Sequence, residues 1–150
     1  MTVRFGPKVP LMEEVNVTPD LKLKLPAFAE NVAVVRYALG GIADVVSIEE
    51  QLLADIKLAI TEACTNVVLH AYEDGEEGML EVDASIEDGV LTLVIRDTGS
   101  GIRPRPNSPG LGLGLPLIAT LAATLELASD DVEHTEVRMT FHLDEADEAP

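Results

Sequence analysis

Three short stretches of this chain combine residue types that could bind and process a charged ligand. Glu62-Ala63-Cys64-Thr65-Asn66 comes first, Asp97-Thr98-Gly99-Ser100-Gly101 second and Gly110-Leu111-Gly112-Leu113-Gly114 third. On a helix, Glu62 and Asn66 lie one turn apart on the same side. An amide oxygen suits Mg²⁺, which prefers oxygen ligands and keeps several waters, so one protein oxygen plus phosphate oxygens can hold it. A carboxylate one turn away can orient or deprotonate an attacking hydroxyl. Asp97 closes an apolar strand, and a buried carboxylate there can accept a hydrogen bond from the amino group of adenine. Gly99 and Gly101 let the chain turn sharply and let a flat base come close. Gly110, Gly112 and Gly114 come just before a helix, where bare backbone amides attract phosphate oxygens. Together these are the parts a magnesium-bound nucleotide requires. Singly, each has a plainer reading: a surface Glu with a boundary Asn, an ordinary β-turn, a flexible linker. Strict Gly-Leu alternation disfavours the last.

The hydrophobic pattern supplies the elements that must position these residues. Leu21-Lys22-Leu23-Lys24-Leu25 alternates strictly and predicts a strand with one wet face. Ala27 to Leu39 predicts a helix closed by Gly40-Gly41. Ser47, with Glu50 three residues on, matches a capping box and is expected to cap a long second helix ending near Tyr72. At about 100° per residue, Leu52, Leu53, Ile56, Ile60, Ala63 and Val67 form its core stripe. Asn66 then falls roughly 90° from the stripe's centre, on the shoulder where a cleft wall would run. His70 continues that row closer to the core, as a hydrogen-bonded half-buried residue or as a catalyst.

Residues 79–86 and 90–96 alternate around Glu87-Asp88-Gly89, a strong hairpin signal. A Gly/Pro-rich loop follows over 97–111. A helix is expected over 112–123, its first turn tolerating Pro116, and a strand pair over 124–129 and 135–143. The order β-α-α-β-β-α-β-β predicts an α/β sandwich: one mixed, largely antiparallel sheet with helices on one face. Residues 1–20, with Gly6, Pro7, Pro10 and Pro19, read as an extended arm. Residues 21–143 read as the domain itself, and 144–150 as an acidic disordered tail.

A chain of 150 residues suffices for one domain with a single core. Aromatics make up only 3%, so that core must be aliphatic. Net charge is −17, from 27 acids against 10 bases, which argues against nucleic acid and anionic membrane surfaces. The surplus fits partners with basic patches, or simple solubility. Cys64 is the one cysteine, so no intrachain disulfide is possible and a reducing compartment fits. Charges and prolines interrupt the N-terminus, and no apolar run approaches membrane-spanning length, so a cytoplasmic location is expected.

No Gly-Lys-Ser/Thr loop occurs, and the glycine run does not follow a strand in a βαβ unit, which excludes the commoner nucleotide loops. In order and spacing, the three stretches instead resemble the N, G1 and G2 boxes of the GHKL ATPase superfamily, whose fold is the Bergerat α/β sandwich. Within it the chain is most similar to the small bacterial anti-sigma factor serine-protein kinases. The likeness covers Leu21 to Leu143, with His70-Ala71-Tyr72 extending the N box and Leu115-Pro116-Leu117-Ile118 extending the G2 box. Glu30-Asn31 and Arg36 on the first helix match too.

That resemblance implies ATP and Mg²⁺ as cofactors, Glu62 as general base and Asn66 as the metal ligand. It implies that Asp97 reads adenine beside Gly99 and Gly101, that Thr135 helps hold the adenine edge, and that Gly110, Gly112 and Gly114 close over the phosphates. It places Arg36 on the surface used for partners, which would be a sigma factor and an anti-anti-sigma antagonist phosphorylated on serine, with the kinase a homodimer. Two departures stand out. His134 occupies the place of a usual Gly before Thr135. The lid, Ile102 to Pro109, is short, with Pro104, Pro106 and Pro109, and its Arg103 and Arg105 are not at the position just before the G2 box. Lid arginines could neutralise a transferring phosphate or balance local acids. Rival readings are a nucleotide-dependent binding switch without catalysis, a detached histidine kinase catalytic domain, and a generic small ATPase domain.

Overall fold

Period-two alternation becomes a six-stranded sheet. The computed structural model describes residues 2–3, 21–72, 77–97, 111–129 and 135–143. In chain order the elements are β1 (Thr2–Val3), β2 (Leu21–Pro26), α1 (Ala29–Val46), α2 (Glu50–Asn66), a π-helical turn (Val67–Ala71), β3 (Met79–Glu87), β4 (Val90–Asp97), α3 (Leu111–Leu121), β5 (Thr124–Ser129) and β6 (Thr135–His142). The strands lie in the order β1-β5-β6-β4-β3-β2. Every pairing is antiparallel except β1 with β5, so the sheet is mixed and largely antiparallel, as expected. Two residues at the start of the arm therefore form an edge strand, which no alternation signalled. The rest of the arm, the lid, His134 and the tail lie outside the described residues.

Asp88 and Gly89 take φ of 55° and 76°, the two left-handed residues of a tight turn whose twist matches the flanking strands. This turn fixes the β3–β4 register from Glu87↔Val90 to Leu80↔Asp97. One face of the sheet is aliphatic: Leu80, Val82 and Ala84 on β3, Leu91, Leu93 and Ile95 on β4, and Val137, Met139 and Phe141 on β6 are buried. They form one core with Val32, Val35 and Leu39 of α1, Ile56, Ile60 and Ala63 of α2, and Ile118 of α3. Helix α2 packs against both α1 and α3 and is the middle of the helical layer.

The opposite face is polar, and its charges are paired. Arg96 is the hub: Nη1 lies 2.8 Å from Asp83 Oδ2 and Nε 3.0 Å from Glu136 Oε1. Lys22 flanks Asp83 at 3.5 Å, and Arg138 joins Glu136 at 3.1 Å and Glu126 at 4.0 Å. The chain of charges thus runs across five strands. Burial alone would lower the Arg96 pKa. Hydrogen bonds and charge from Asp83 and Glu136 outweigh it and hold the guanidinium above its ordinary value.

Three local expectations are corrected. Helix α1 runs through Gly40-Gly41 to Val46, because the buried period Val32, Val35, Leu39, Ala43 continues past the glycines and outweighs their cost of about 1 kcal/mol each. Ser47 does not open α2: with φ 61° and ψ 54° it is the left-handed cap of α1, its N–H bonded to Ala43 O at 2.8 Å. Glu49 caps α2 instead, Oε1 accepting from Leu52 N at 3.1 Å and Oε2 from Gln51 N at 3.3 Å. Helix α3 begins at Leu111, so Gly112 and Gly114 lie within its first turns rather than before it. Pro116 is then inside the helix, past the first turn, and the bond its missing N–H would have made is forgone.

Candidate functional site

The last turns of α2 carry the first pair of polar residues. Its buried positions are Ile56, Ala59, Ile60, Ala63, Cys64 and Asn66. This arc spans roughly 160° of the helix, wide because neighbours flank it on both sides. Asn66 is at the edge of the arc and Glu62, half-buried, lies one turn earlier on the same side. Asn66 is only 4% exposed, and among the described residues its Nδ2 finds no hydrogen-bond partner. A buried amide left unsatisfied costs about 1–3 kcal/mol, and such a group calls for an explanation. The two ends of the amide have the same shape, so a half-turn of the group presents oxygen where nitrogen stands. Oxygen there is a fit ligand for a hard cation.

Among the described residues no three His, Cys, Asp or Glu side chains gather into a metal cluster. Mg²⁺ binds through one or two protein oxygens plus substrate phosphates rather than in an all-protein cage. The thiol of Cys64, two residues before Asn66, is fully buried, and burial pushes its pKa up to about 12. It remains a neutral core group at ordinary pH.

Asp97 is the last residue of β4 and is 1% exposed. By alternation it shares the helix-covered face with Leu91, Leu93 and Ile95, so the aliphatic row ends on a carboxylate. In register it stands between Leu80 of β3 and Thr135 of β6, and Thr135 in turn faces Ser129 of β5. The structure therefore brings Asp97 and Thr135 into one cross-strand rung, although 38 positions separate them in sequence. Thr135 is half-buried. Both α2 and the π-helical turn that follows Asn66 contact β4. Among the described residues the buried polar or charged side chains are Asn66, Asp83 and Asp97, and only Asp83 belongs to the paired outer face.

The remaining expected residues divide into two groups. Gly112 is in the first turn of α3, where N–H groups lack intrahelical partners and the helix dipole favours anions; Gly114 follows where the intrahelical bonds begin. Gly99, Gly101 and Gly110 lie outside the described residues, and so do Arg103 and Arg105. The side chain of His70 also lies outside them; its backbone is in the π-helical turn. Arg36 is half-buried on α1. Next to it in sequence Tyr37 is 78% exposed, and further along the same helix Val45 is 83% exposed.

One contact went unread in the sequence. Tyr72 Oη donates to Met79 O at 2.6 Å and accepts from Met79 N at 3.1 Å. No spacing rule links a tyrosine to a strand start seven residues on.

A family profile described as histidine kinase-like ATPase domain matches residues 25–141. Proteins named serine-protein kinase RsbW from Bacillus thuringiensis (strain Al Hakam) and Bacillus cereus (strain AH820) are each 30% identical over 126 residues, covering 74% of this chain and 78% of theirs. Among solved structures, the RsbU and RsbW domains of Rv1364c from Mycobacterium tuberculosis align with TM-score 0.67 at 23% identity, over 84% of this chain and 33% of that one. A histidine kinase domain from the Erythrobacter litoralis EL346 blue-light activated histidine kinase aligns with TM-score 0.53 at 21% identity, over 79% of this chain and 61% of that one. These structural likenesses carry the fold.

Proposed function

The chain belongs to the histidine kinase-like ATPase domain family, and within it to the RsbW serine-protein kinases, and on that premise we propose that it is an ATP-dependent protein-serine kinase acting on an anti-anti-sigma antagonist and binding a sigma factor. The single observation that carries this reading is the pair of buried polar ends. Asn66 terminates α2 and Asp97 terminates β4, each set among aliphatic residues, and α2 contacts β4. Buried polar groups at element ends are placed to recognise a ligand, and among the described residues the Nδ2 of Asn66 has no hydrogen-bond partner.

In this reading Asp97 accepts from the adenine amino group, and Thr135, on the next strand, holds the same edge. The turn through Gly99 and Gly101 lets the base approach. Asn66 offers an oxygen to Mg²⁺. A metal held there would supply neutralisation of the phosphate charge. Gly110 and the N–H groups around Gly112 and Gly114 receive the phosphates at the helix start. Glu62 takes the proton of the attacking serine hydroxyl, so transfer depends mainly on positioning and charge. Arg36, with exposed Tyr37 beside it, contributes to the partner surface, and the working form is a homodimer in the cytoplasm. Among the described helices none is long and apolar enough to cross a membrane.

The test measures ATP affinity with and without Mg²⁺ for the wild type and Asn66→Ala, and phosphoserine formation on an antagonist for Glu62→Gln. Expected are loss of the magnesium dependence in the first variant, and intact binding with transfer reduced at least about 100-fold in the second. Undiminished transfer by Glu62→Gln would remove the general-base role. Nucleotide binding without any transfer by the wild type would favour the binding switch.

A further inference from the structure

We propose that Tyr72, clasped over Gly78, is a positioning residue that holds the end of α2 in a fixed relation to the end of β4, and so sets Asn66 against Asp97. The inference rests on the nucleotide-site reading above. After Asn66 the chain leaves α-helical geometry for the five-residue π-helical turn Val67–Ala71, and Tyr72 is then extended, with φ −127° and ψ 146°. Single π-helical turns are uncommon and occur often at functional sites, where surrounding contacts must hold them.

The contact that holds this one is Tyr72. Its hydroxyl engages both main-chain groups of Met79, the first residue of β3, with one bond given and one received. Its ring lies against the backbone of Gly78 so closely that a Cβ at position 78 would collide with ring carbons Cε1 and Cζ. Glycine is thus required there while the ring is in place, and any side chain at 78 would expel it.

Met79 is one residue from Leu80, and Leu80↔Asp97 is the last rung between β3 and β4. A short rigid path therefore joins the two buried polar groups: Asn66, the π-helical turn, the Tyr72 ring, Met79, Leu80 and Asp97. The hydroxyl is one residue beyond the rung on which Asp97 sits. A metal ligand must be held to within a few tenths of an ångström to keep its affinity, whereas recognition of a flat base by a carboxylate on β4 depends on the sheet alone. Loosening the clasp should therefore weaken the metal-dependent part of binding and spare the rest.

The experiment uses Tyr72→Phe, which keeps the ring and removes both hydrogen bonds, and Gly78→Ala, which displaces the ring. ATP affinity is measured with Mg²⁺ and with EDTA, and amide hydrogen exchange is followed in the nucleotide-free protein. For Tyr72→Phe the expected loss is about fivefold for Mg-ATP and under about twofold for metal-free ATP. Gly78→Ala should show a larger ratio of the same sign. Exchange should quicken both at Val67–Ala71 and at Arg96 and Asp97, with Thr92, at the hairpin end of the same strand, unchanged.

Equal loss of both affinities in Tyr72→Phe, or faster exchange confined to residues 72–79, would overturn the inference and leave Tyr72 as a fold contact. Should Gly78→Ala fail to fold, Tyr72→Phe decides alone. A wild-type protein that gains no ATP affinity from Mg²⁺ would defeat the site reading and this inference together, and that failure is visible before any variant is made.

Discussion

The two faces of one sheet handle buried polarity in opposite ways. On the outer face Asp83, 8% exposed, has Arg96 at 2.8 Å and Lys22 at 3.5 Å, and the charges continue through Glu136 and Arg138 to Glu126. On the inner face Asp97, 1% exposed, ends a row of Leu91, Leu93 and Ile95. An acid built into the fold is ringed with opposite charge. The inner face instead holds its buried acid and amide at element ends, Asn66 closing α2 and Asp97 closing β4. In the reading proposed above, the first carboxylate stabilises the fold and the second recognises a ligand.

The largest effect is expected on the inner face. Asp97→Asn keeps the shape and removes the charge: ATP affinity should fall about 10- to 100-fold while unfolding free energy shifts by less than about 1 kcal/mol, read by calorimetry and denaturant titration. A loss of several kcal/mol in stability would erase the contrast and make Asp97 a second Asp83. Next comes the outer hub. Arg96→Met strands a buried carboxylate, yet the Arg96 side chain is 34% exposed, so solvent softens the cost to about 1–3 kcal/mol. Its ATP affinity should stay as in the wild type; a fall would show that the faces are coupled. The smallest effect belongs to the rim of the same network. Lys24, 65% exposed and 3.8 Å from Glu81, should be replaceable by Ala within about 0.5 kcal/mol, and a larger loss would mean that the outer charges act as one unit.

Much of this contrast was legible beforehand, for reasons that differ by residue. Asp88-Gly89 forces a two-residue turn, and counting outward from it pairs Leu80 with Asp97, so that rung follows from local chemistry. Helical phase put Asn66 on the shoulder of its helix, and it stands at the edge of the buried arc. The partner of Asp97 across β6 was not derivable this way, because no short turn links β4 to β6 and nothing local sets their register. The course of α1 was misjudged at Gly40-Gly41, since a propensity cost was weighed without the tertiary burial of Ala43 that exceeds it. Ser47 and Glu49 compete for one cap, and only backbone geometry tells which helix end each serves. The Tyr72 clasp joins a side chain to backbone, a kind of contact that leaves no periodic trace.

Cys64 sits with no exposed surface, two residues from Asn66. Because it is the sole thiol and is sealed inside, the native protein should gain no mass from maleimide at neutral pH, and one adduct only after unfolding in guanidinium. A cysteine engineered on the exposed side of α1 would then accept a single fluorophore without prior removal of the natural one. Partner docking could be followed optically on a molecule whose nucleotide pocket had not been altered to make it visible.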